Sequence, residues 1–288
     1  MDPKQAANAT RQVIGDYSPA DPDPTAAALR EVWLEATPEG VDLAKAEQFL
    51  GLKTAGTPVP VLKALGKEIG KVARKQVADF IPLARHLWDH YGREGRLLAA
   101  AFLGPMELAA PEEVIPVIYQ LAQTCLAWED CDQLAMTALE PIVRKNPEGY
   151  LDRLASWVTD ENKWVRRAAI TAIGRLPMKR ADYTARCLEL VEPALGDPDP
   201  DIKRAVSFAI RINARGQIAP VRDFILAHRD ATDPDTIWVL CDVIRSMTKA
   251  FLPQFADLLP VYEAWLEAAD ARTQRSVESA INTLRKAM

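Results

Sequence analysis

The amino-acid sequence predicts an all-α protein, a solenoid in which pairs of helices stack into an α-α superhelix with one concave face. From about Thr25 onward, apolar residues recur every three or four positions, which is the period of an α-helix. Turns that contain Pro, Gly or Asp separate these segments, and the alternating pattern of a β-strand is almost absent. The third observation is a repeated motif, which sets the size of the structural unit.

Each copy of this motif has a short acidic or Gly-containing turn, then basic residues, then a helix of small and apolar residues. Copies begin at Gly92, Asp160 and Asp197, and the last two lie 37 residues apart. Weaker copies begin at Asp233 and Asp270. Helix pairs of about this period are typical of HEAT and armadillo repeats, which stack because one pair cannot bury its own apolar face. The predicted fold is therefore a HEAT-like repeat.

The composition also predicts the domain organisation. With 288 residues and 49% hydrophobic content, the chain is long enough to bury a large core. Residues 1–23 are rich in Asp, Pro and Ala without a sustained period, so we expect a loosely ordered N-terminal arm there. Residues 24–288 are expected to form a single HEAT-like repeat domain.

Charge and motifs narrow the classes of function. The net charge of −5 gives no overall attraction to nucleic acid or membranes, so either partner would need a local basic surface. The four cysteines have no metal-binding spacing and favour a reduced, cytosolic compartment, and no apolar run is long enough to predict a membrane partner. His86 and His90 have a metal-compatible spacing but no third ligand. Neither a metal nor a cofactor is expected.

Two kinds of local pattern suggest a binding site. Trp128 and Asp132 are four residues apart, which puts an aromatic ring and a carboxylate on the same side of one helix. Such a pair could contact a group the size of a sugar. The plainer interpretation is that the tryptophan belongs to the core and the aspartate caps a helix.

Two stretches of the chain are basic and contain no acidic residue. They carry the cations Lys163, Arg166, Arg167, Arg175, Lys179 and Arg180, and then Lys203, Arg204, Arg211, Arg215 and Arg222. Spacings of four, three and four place Arg204, Phe208, Arg211 and Arg215 on one helical stripe. Concentrated positive charge on successive repeats suits phosphate contacts, whereas each stretch alone could be a solvated helix face.

At these residues the sequence resembles the AlkD-type DNA alkylation repair glycosylases, a family of HEAT-like repeat proteins. The resemblance runs from about residue 49 to 229 and depends on the order and spacing of four blocks. Residues 230–288 look like additional C-terminal repeats. The blocks are Phe49-Leu50-Gly51-Leu52-Lys53-Thr54, Leu87-Trp88-Asp89, Trp128-Glu129-Asp130-Cys131-Asp132, and Asn162-Lys163-Trp164-Val165-Arg166-Arg167-Ala168-Ala169.

The resemblance implies roles for individual residues. Trp128 and Asp132 match the family's catalytic pair, and Arg167 matches its phosphate-proximal arginine at the catalytic site. Arg211 falls where the family has another arginine that contacts DNA. Phe208 stands where the family has a second tryptophan, and its smaller ring puts the range of lesions or the rate of reaction in doubt.

The implied activity is that of a DNA glycosylase. It would act as a monomer on double-stranded DNA with cationic N3- or N7-alkylated purines, without metal or cofactor and without flipping the base into a pocket. Lys163, Arg166, Arg204 and Arg215 would join Phe208 and Arg211 in binding DNA. Two alternatives remain open, a catalytically silent protein that binds duplex or branched DNA, and a HEAT scaffold that binds proteins.

Overall fold

The predicted all-α repeat fold is confirmed. In a computed structural model of the protein, which describes residues 2–268, 270–271 and 273–288, helices account for most of the chain. The described residues form no β-strand beyond an isolated bridge between Ser18 and Asp21. None of the helices in those ranges is long and apolar enough to cross a membrane.

The chain divides into two compact units, residues 1–145 and 146–288, where the sequence predicted one repeat domain over residues 24–288. The first unit contains α1 (Pro3–Gly15), α2 (Asp23–Glu35), α3 (Leu43–Leu50), α4 (Val59–Ala73), α5 (Val77–His90), α6 (Gly92–Ala109), α7 (Pro111–Gln123), α8 (Trp128–Leu134), a π-helix (Ala135–Leu139) and α9 (Glu140–Lys145).

Helices of the first unit form two rows. In one row α1 contacts α4, α4 contacts α6, and α6 contacts α8 and the π-helix, while α2, α5 and α7 form the other row. Apolar side chains such as Leu62, Leu65, Leu98 and Leu103 are fully buried between the rows. Sharing this apolar surface between neighbouring pairs is how repeat proteins build a continuous core.

The N-terminal segment differs from its prediction. A loosely ordered arm was expected over residues 1–23, but Pro3–Gly15 is a helix that packs on α4. Asp2 caps the helix in a capping box with Gln5, and Pro3 occupies the first turn, where its missing N–H costs nothing. The Arg11 guanidinium also pairs with Glu68 on α4, 2.7 Å from Nε to Oε2. Local capping and one long-range ion pair order a segment whose composition suggested disorder.

α8, the π-helix and α9 follow one another without a break. The π-helix inserts one extra residue into a helical turn, a distortion that is frequent at functional sites. Gly104 on α6 lies against it, because a Cβ at Gly104 would come within 2.1 Å of the Thr137 carbonyl oxygen. Only a glycine permits this close approach of α6 to the π-helix.

The described residues of the second unit form four consecutive helix pairs. Its helices are α10 (Pro147–Val158), α11 (Lys163–Arg175), α12 (Thr184–Val191), α13 (Pro200–Asn213), α14 (Ile218–Ala227), α15 (Pro234–Arg245), α16 (Leu259–Ala268) and α17 (Gln274–Arg285), with 3-10 turns at Leu176–Met178, Ala181–Tyr183, Glu192–Ala194 and Leu252–Leu258. The second helices of the pairs, α11, α13, α15 and α17, form one row in which each contacts the next.

The motif found in the sequence marks the start of these second helices. Asn162, Asp199 and Asp233 are the N-caps of α11, α13 and α15, and each side chain accepts a backbone N–H of the first turn. The copy predicted from Asp270 includes Arg272, which lies outside the described residues; α17 begins shortly after it, at Gln274.

Ion pairs connect successive second helices. Lys163 Nζ on α11 lies 2.9 Å from Asp201 Oδ2 on α13, and Lys203 Nζ on α13 lies 2.8 Å from Asp235 Oδ1 on α15. A basic residue near the start of one helix thus meets an acidic residue near the start of the next. The acidic turns of the repeats therefore neutralise part of the basic stretches.

Candidate functional site

Trp128 is the first residue of α8, and its side chain is exposed to solvent. The residue is 38% exposed, and its ring makes an edge-to-face contact with Phe49, at 5.9 Å between centroids and 82° between planes. Phe49 is itself 71% exposed and lies on α3. Two neighbouring aromatic rings that remain accessible could stack on or enclose an apolar or cationic group.

Asp132 lies one helical turn after Trp128 and is partly buried. The plainer interpretation of the pair does not hold, because Trp128 is not a core residue and a different aspartate caps the helix. Asp130 Oδ1 accepts the backbone N–H groups of Ala127 at 3.0 Å and Cys131 at 2.9 Å. Asp132 is therefore not needed as the cap of α8.

Two buried ion pairs fix the start of α8. Arg93 on α6 binds Glu129 through two hydrogen bonds, Nε to Oε2 at 2.6 Å and Nη2 to Oε1 at 2.8 Å. Arg96, one turn further along α6, donates from Nη1 to Asp130 Oδ2 at 2.7 Å. All four side chains are buried. The backbone between Trp128 and Asp132 is therefore held in place at Glu129 and Asp130.

The Arg96 guanidinium has two further contacts. Its Cζ lies 4.9 Å from the centroid of the buried Trp88 ring, and its Nη1 also donates to the Thr124 carbonyl oxygen at 2.9 Å. Trp88 Nε1 in turn donates to Thr124 Oγ1 at 3.0 Å. Trp88, in the second block of the resemblance, is thus buried and supports α8 through Arg96, whereas Asp89 of the same block is exposed.

Sequence reasoning missed the supporting roles of Arg93, Arg96, Glu129 and Asp130. A signal was present, since the motif copy that begins at Gly92 supplies both arginines and the Trp128 block supplies both acids. Pairing them required knowledge that α6 and α8 are neighbours. Phe49 was also missed as a site residue, although it opens the first block of the resemblance.

Arg167 lies in the second unit, on α11, and is only 6% exposed. Its Nη1 donates to the Asp201 carbonyl oxygen on α13 at 2.6 Å. A guanidinium has five N–H donors, so this bond fixes its orientation without using its full capacity. Arg167 is therefore largely a buried connection between two repeats.

The basic residues next to Arg167 are engaged by acidic side chains. Lys163 Nζ lies near both Asp201 and Asp199, and 4.4 Å from the centroid of the Trp164 ring. Arg166 Nε lies 3.0 Å from Asp197 Oδ2. The stretch from Lys163 to Arg180 contains no acidic residue, but α13 and its preceding turn supply the acids. The charge of this stretch is thus partly neutralised.

The predicted stripe on α13 is more accessible. Arg204 is 66% exposed at its side chain and lies 3.8 Å from Asp201. Arg215 is also exposed, but the prediction that it shares the helical stripe is wrong, because α13 ends at Asn213 and Arg215 lies in the turn that follows. The Arg211 guanidinium carbon lies 5.6 Å from the centroid of the Phe208 ring, and its Nη1 donates to the Ser246 carbonyl oxygen at 2.9 Å. This helix places an aromatic ring among cations, as the spacing predicted.

A further aromatic group on α15 was not predicted. Trp238 is partly exposed, and cations lie near its ring on two helices, with Lys203 Nζ at 5.2 Å and Arg245 Cζ at 5.7 Å from the centroid. It lies in the segment that sequence reasoning assigned only as further repeats. Residue spacing along the chain does not predict the contact between Trp238 and Lys203, because the two residues lie on different helices.

The candidate residues fall in different units. Trp128 and Asp132 belong to the first unit, whereas Arg167, Arg204, Phe208, Arg211 and Arg215 belong to the second. Within the second unit, the Arg211 guanidinium lies beside the Phe208 ring. The prediction that both sets line one concave face remains a prediction.

Comparison with protein families finds a match over residues 43–239 to the family described as DNA alkylation repair enzyme. This range includes every candidate residue and extends slightly beyond the resemblance seen in the sequence. No curated protein matches the chain.

Among solved structures, the fold is similar to two engineered proteins of the Northeast Structural Genomics Consortium and to a designed armadillo repeat protein. The first has a TM-score of 0.34 at 13% identity and covers 100% of this chain and 98% of its own. The second has a TM-score of 0.32 at 16% identity, covering 85% and 99%. The designed protein has a TM-score of 0.31 at 14% identity, covering 96% and 98%. At such TM-scores the fold assignment depends on the helix pairing described above.

Proposed function

The chain belongs to the family of DNA alkylation repair enzymes, and on that basis we propose that it is a DNA glycosylase. Its substrates would be cationic N3- or N7-alkylated purines in double-stranded DNA. The protein would act as a monomer in the cytosol, and the reaction would require neither metal nor cofactor.

The observation that carries the proposal is the pairing of an exposed aromatic ring with a carboxylate on a rigid helix. Trp128 and Asp132 lie one turn apart on α8, whose first turn is fixed by the Arg93–Glu129 and Arg96–Asp130 ion pairs. A helix that is anchored by buried ion pairs can hold its surface side chains in the geometry that a transition state requires.

The proposed reaction is hydrolysis of the bond between C1′ of deoxyribose and the purine nitrogen. Alkylation at N3 or N7 makes the base cationic, so it leaves as a neutral base and takes the bonding electron pair with it. Positive charge develops on the sugar, where the Asp132 carboxylate would stabilise it and orient water for attack at C1′. The attacking water loses a proton to Asp132 or to solvent. The face of Trp128 would contact the cationic sugar.

Such a mechanism contacts the sugar and the backbone, and we propose that the base stays in the duplex. Many glycosylases instead flip the damaged base into a pocket. Both Trp128 and Phe49 are accessible on the surface of the first unit. Contact through the backbone would allow bulky adducts to be substrates.

Phosphate binding is proposed for the second unit. Arg204 and Arg215 are its most accessible predicted contacts, with Arg211 and Phe208 beside them. Arg167 would act at the phosphate next to the lesion, oriented by its bond to the Asp201 carbonyl. Lys163 and Arg166 would contribute less, because acidic side chains already hold them.

The experiment that tests the proposal measures bases released from methylated DNA by chromatography, with the wild type beside Asp132→Asn. The variant keeps the shape of the side chain and removes its charge. We expect the wild type to release 3-methyladenine or 7-methylguanine and the variant to release at least tenfold less. Asp132→Glu is the matched control that retains the charge.

A catalytically silent DNA-binding protein is the second candidate, because Phe208 replaces the tryptophan that the resemblance implies. A protein that binds duplex or branched DNA with a salt-dependent affinity and releases no base would be this second candidate. The pairing of Lys163 and Arg166 with acids favours a third candidate, a scaffold for proteins. Salt-sensitive binding of duplex DNA would exclude the scaffold.

A further inference from the structure

The last two helices of the row in the second unit enclose a basic cleft. Arg245 ends α15, Lys249 lies in the following turn, and Lys286 immediately follows α17. All three line one cleft of about 540 Å³. None of the described residues that line this cleft is acidic. The net charge of the whole chain is −5, so three cations around one cleft depart from the average surface.

A simpler explanation accounts for only part of this arrangement. Cations near the C-terminus of a helix are stabilised by its exposed carbonyl groups, by about 0.3–1 kcal/mol each. That explanation suits Arg245 and Lys286, each at the end of its own helix. Lys249 lies outside any helix and is exposed. Asp242 offsets the charge of Arg245, but Lys249 and Lys286 line the same cleft, and their positive charges are best explained by an anion that enters it.

The cleft is continuous with the proposed DNA-binding stripe on α13. Arg211 on α13 donates to the carbonyl oxygen of Ser246, the residue that follows Arg245. Trp238 lies between Lys203 of α13 and Arg245 of α15. Asp242 orients Arg245 at 2.7 Å and also accepts the Ser207 hydroxyl of α13 at 2.6 Å. A chain of side-chain contacts, buried at Ser207, therefore links α13 through α15 to the cleft.

We propose that this cleft binds a backbone phosphate of the same duplex DNA that occupies the stripe on α13. The inference rests on the DNA-binding part of the proposed function and extends it past residue 239, where the family match ends. Lys249 and Lys286 supply mobile point charges, whereas Arg245 is held by Asp242 and Trp238. Phosphate oxygens are the ligand that suits such a set of donors.

Helix spacing gives the expected reach. The cleft begins beside the Ser246 carbonyl that Arg211 contacts and extends to the end of α17. Neighbouring packed helices lie about 8–10 Å apart, so this is one helix step. Because a DNA strand rises about 3.4 Å per base pair, the cleft should lengthen the DNA footprint by about three base pairs beyond the contact made by Arg211.

The test measures duplex affinity against salt concentration for the full-length wild type and for Lys249→Gln and Lys286→Gln. Each variant should reduce the slope of log affinity against log salt by about one unit. The matched control is Arg285→Gln, next to Lys286 on the chain. Arg285→Gln removes the same charge, but Arg285 pairs with Glu263 at 2.8 Å and lines a different cleft. The salt slope of this control variant should therefore equal that of the wild type.

A second arm varies the DNA. Lengthening a short duplex by about three base pairs at each end should strengthen binding by the wild type more than binding by the Lys249→Gln, Lys286→Gln double variant. The inference is overturned if both variants keep the wild-type slope, or if Arg285→Gln lowers it equally, since charge alone would then explain the result. A wild type without affinity for duplex DNA overturns both this inference and the proposed function. Absence of base release with intact binding overturns only the glycosylase.

Discussion

Arg96 and Asp130 form a buried ion pair, 2.7 Å from Nη1 to Oδ2, whose acidic partner lies two residues after the exposed Trp128. The same Asp130 carboxylate accepts the backbone N–H groups of Leu126, Ala127 and Cys131. A single buried group thus neutralises an arginine and shapes the entry into α8. The surface chemistry proposed for Trp128 and Asp132 therefore depends on the buried Arg93–Glu129 and Arg96–Asp130 ion pairs beneath it.

Breaking this ion pair should destabilise the protein strongly. Asp130→Asn leaves the Arg96 guanidinium buried without its counter-charge, which costs about 3–5 kcal/mol of folding free energy. Urea denaturation followed by circular dichroism measures the loss. Glu31→Gln is the control, because it breaks the exposed Arg30–Glu31 pair and should cost no more than about 1 kcal/mol. Equal losses in the two variants would show that Asp130 does not have the role described here.

The charge of Asp132 should matter most for slow reactions. Asp132→Asn should bind methylated duplex about as well as the wild type, because the carboxylate acts mainly on charge that develops in the transition state. Its loss in single-turnover base release should reach at least tenfold, or about 1.4 kcal/mol, for slowly hydrolysed adducts and be smaller for unstable ones. Wild-type rates on a slow adduct would refute the proposed role.

The two exposed rings should act in binding more than in folding. Phe49→Ala removes the edge-to-face partner of Trp128, so we expect weaker DNA binding and slower base release, with Trp128→Ala more severe in both. Because Phe49 is 71% exposed, its loss should leave thermal stability nearly unchanged. Leu108→Ala removes a partly exposed apolar side chain elsewhere on the first unit and serves as control. An unchanged DNA affinity for Phe49→Ala would remove it from the site.

Salt dependence should rank the basic residues by their accessibility. Arg204→Gln and Arg215→Gln should each lower the slope by about one unit, since each would remove one phosphate contact. Lys163→Gln should have a smaller effect, because Lys163 is already paired with Asp201. Titrations of duplex DNA at several salt concentrations provide the slopes. The reverse order would show that DNA displaces the acidic partners and that accessibility in the free protein is a poor guide.

A buried carboxyl predicts a pH effect on stability. Burial and the nearby charge of Glu140 raise the pKa of Glu107 from 4.5 to about 10, and neither of its oxygens has a hydrogen-bond partner among the described residues. The folded state thus keeps a proton that the unfolded state loses above its ordinary pKa. The stabilisation is complete below that pKa and is lost progressively as the pH rises towards the folded value, by at most about 1.4 kcal/mol per unit.

Glu107→Gln cannot ionise and lacks this dependence. The difference in unfolding free energy between the variant and the wild type should therefore shift in favour of the variant from about pH 5 to about pH 8. Denaturation curves at several pH values measure it. Glu113→Gln, on the exposed first turn of α7, is the control and should follow the wild type. Parallel curves for Glu107→Gln and the wild type would mean that Glu107 is ionised in the folded protein.

The sequence contained enough information for the helices and their pairing. Periodicity located them, and the caps Asn162, Asp199 and Asp233 mark the turns that the repeated motif predicted. The N-terminal helix was missed although Asp2, Pro3 and Gln5 give a local capping signal, because its docking depends on Arg11 reaching Glu68, 57 positions away in the chain. Local composition carries no signal for such a contact.

For the site, the sequence located residues but not their partners. The acid-free stretch that begins at Lys163 predicted an accessible basic surface, yet Asp197, Asp199 and Asp201 from the next repeat face it. Counting charges along one segment omits those that stacking brings from another. The same limitation hid Trp238, whose cations come from two helices.

The π-helix at Ala135–Leu139 separates the orientation of α8 from that of α9. Deleting one residue within it would restore a regular α-helix and rotate one part against the other by about 100°. The close contact of Gly104 with the Thr137 carbonyl fixes the position of the π-helix. After the deletion, either Trp128 and Asp132 would turn away from their present direction, or Glu140 would turn out of the interior. The inserted residue thus offsets the helical rotation within one continuous helix. Trp128 and Asp132 keep their present direction at one end, while Glu140 stays in the interior at the other.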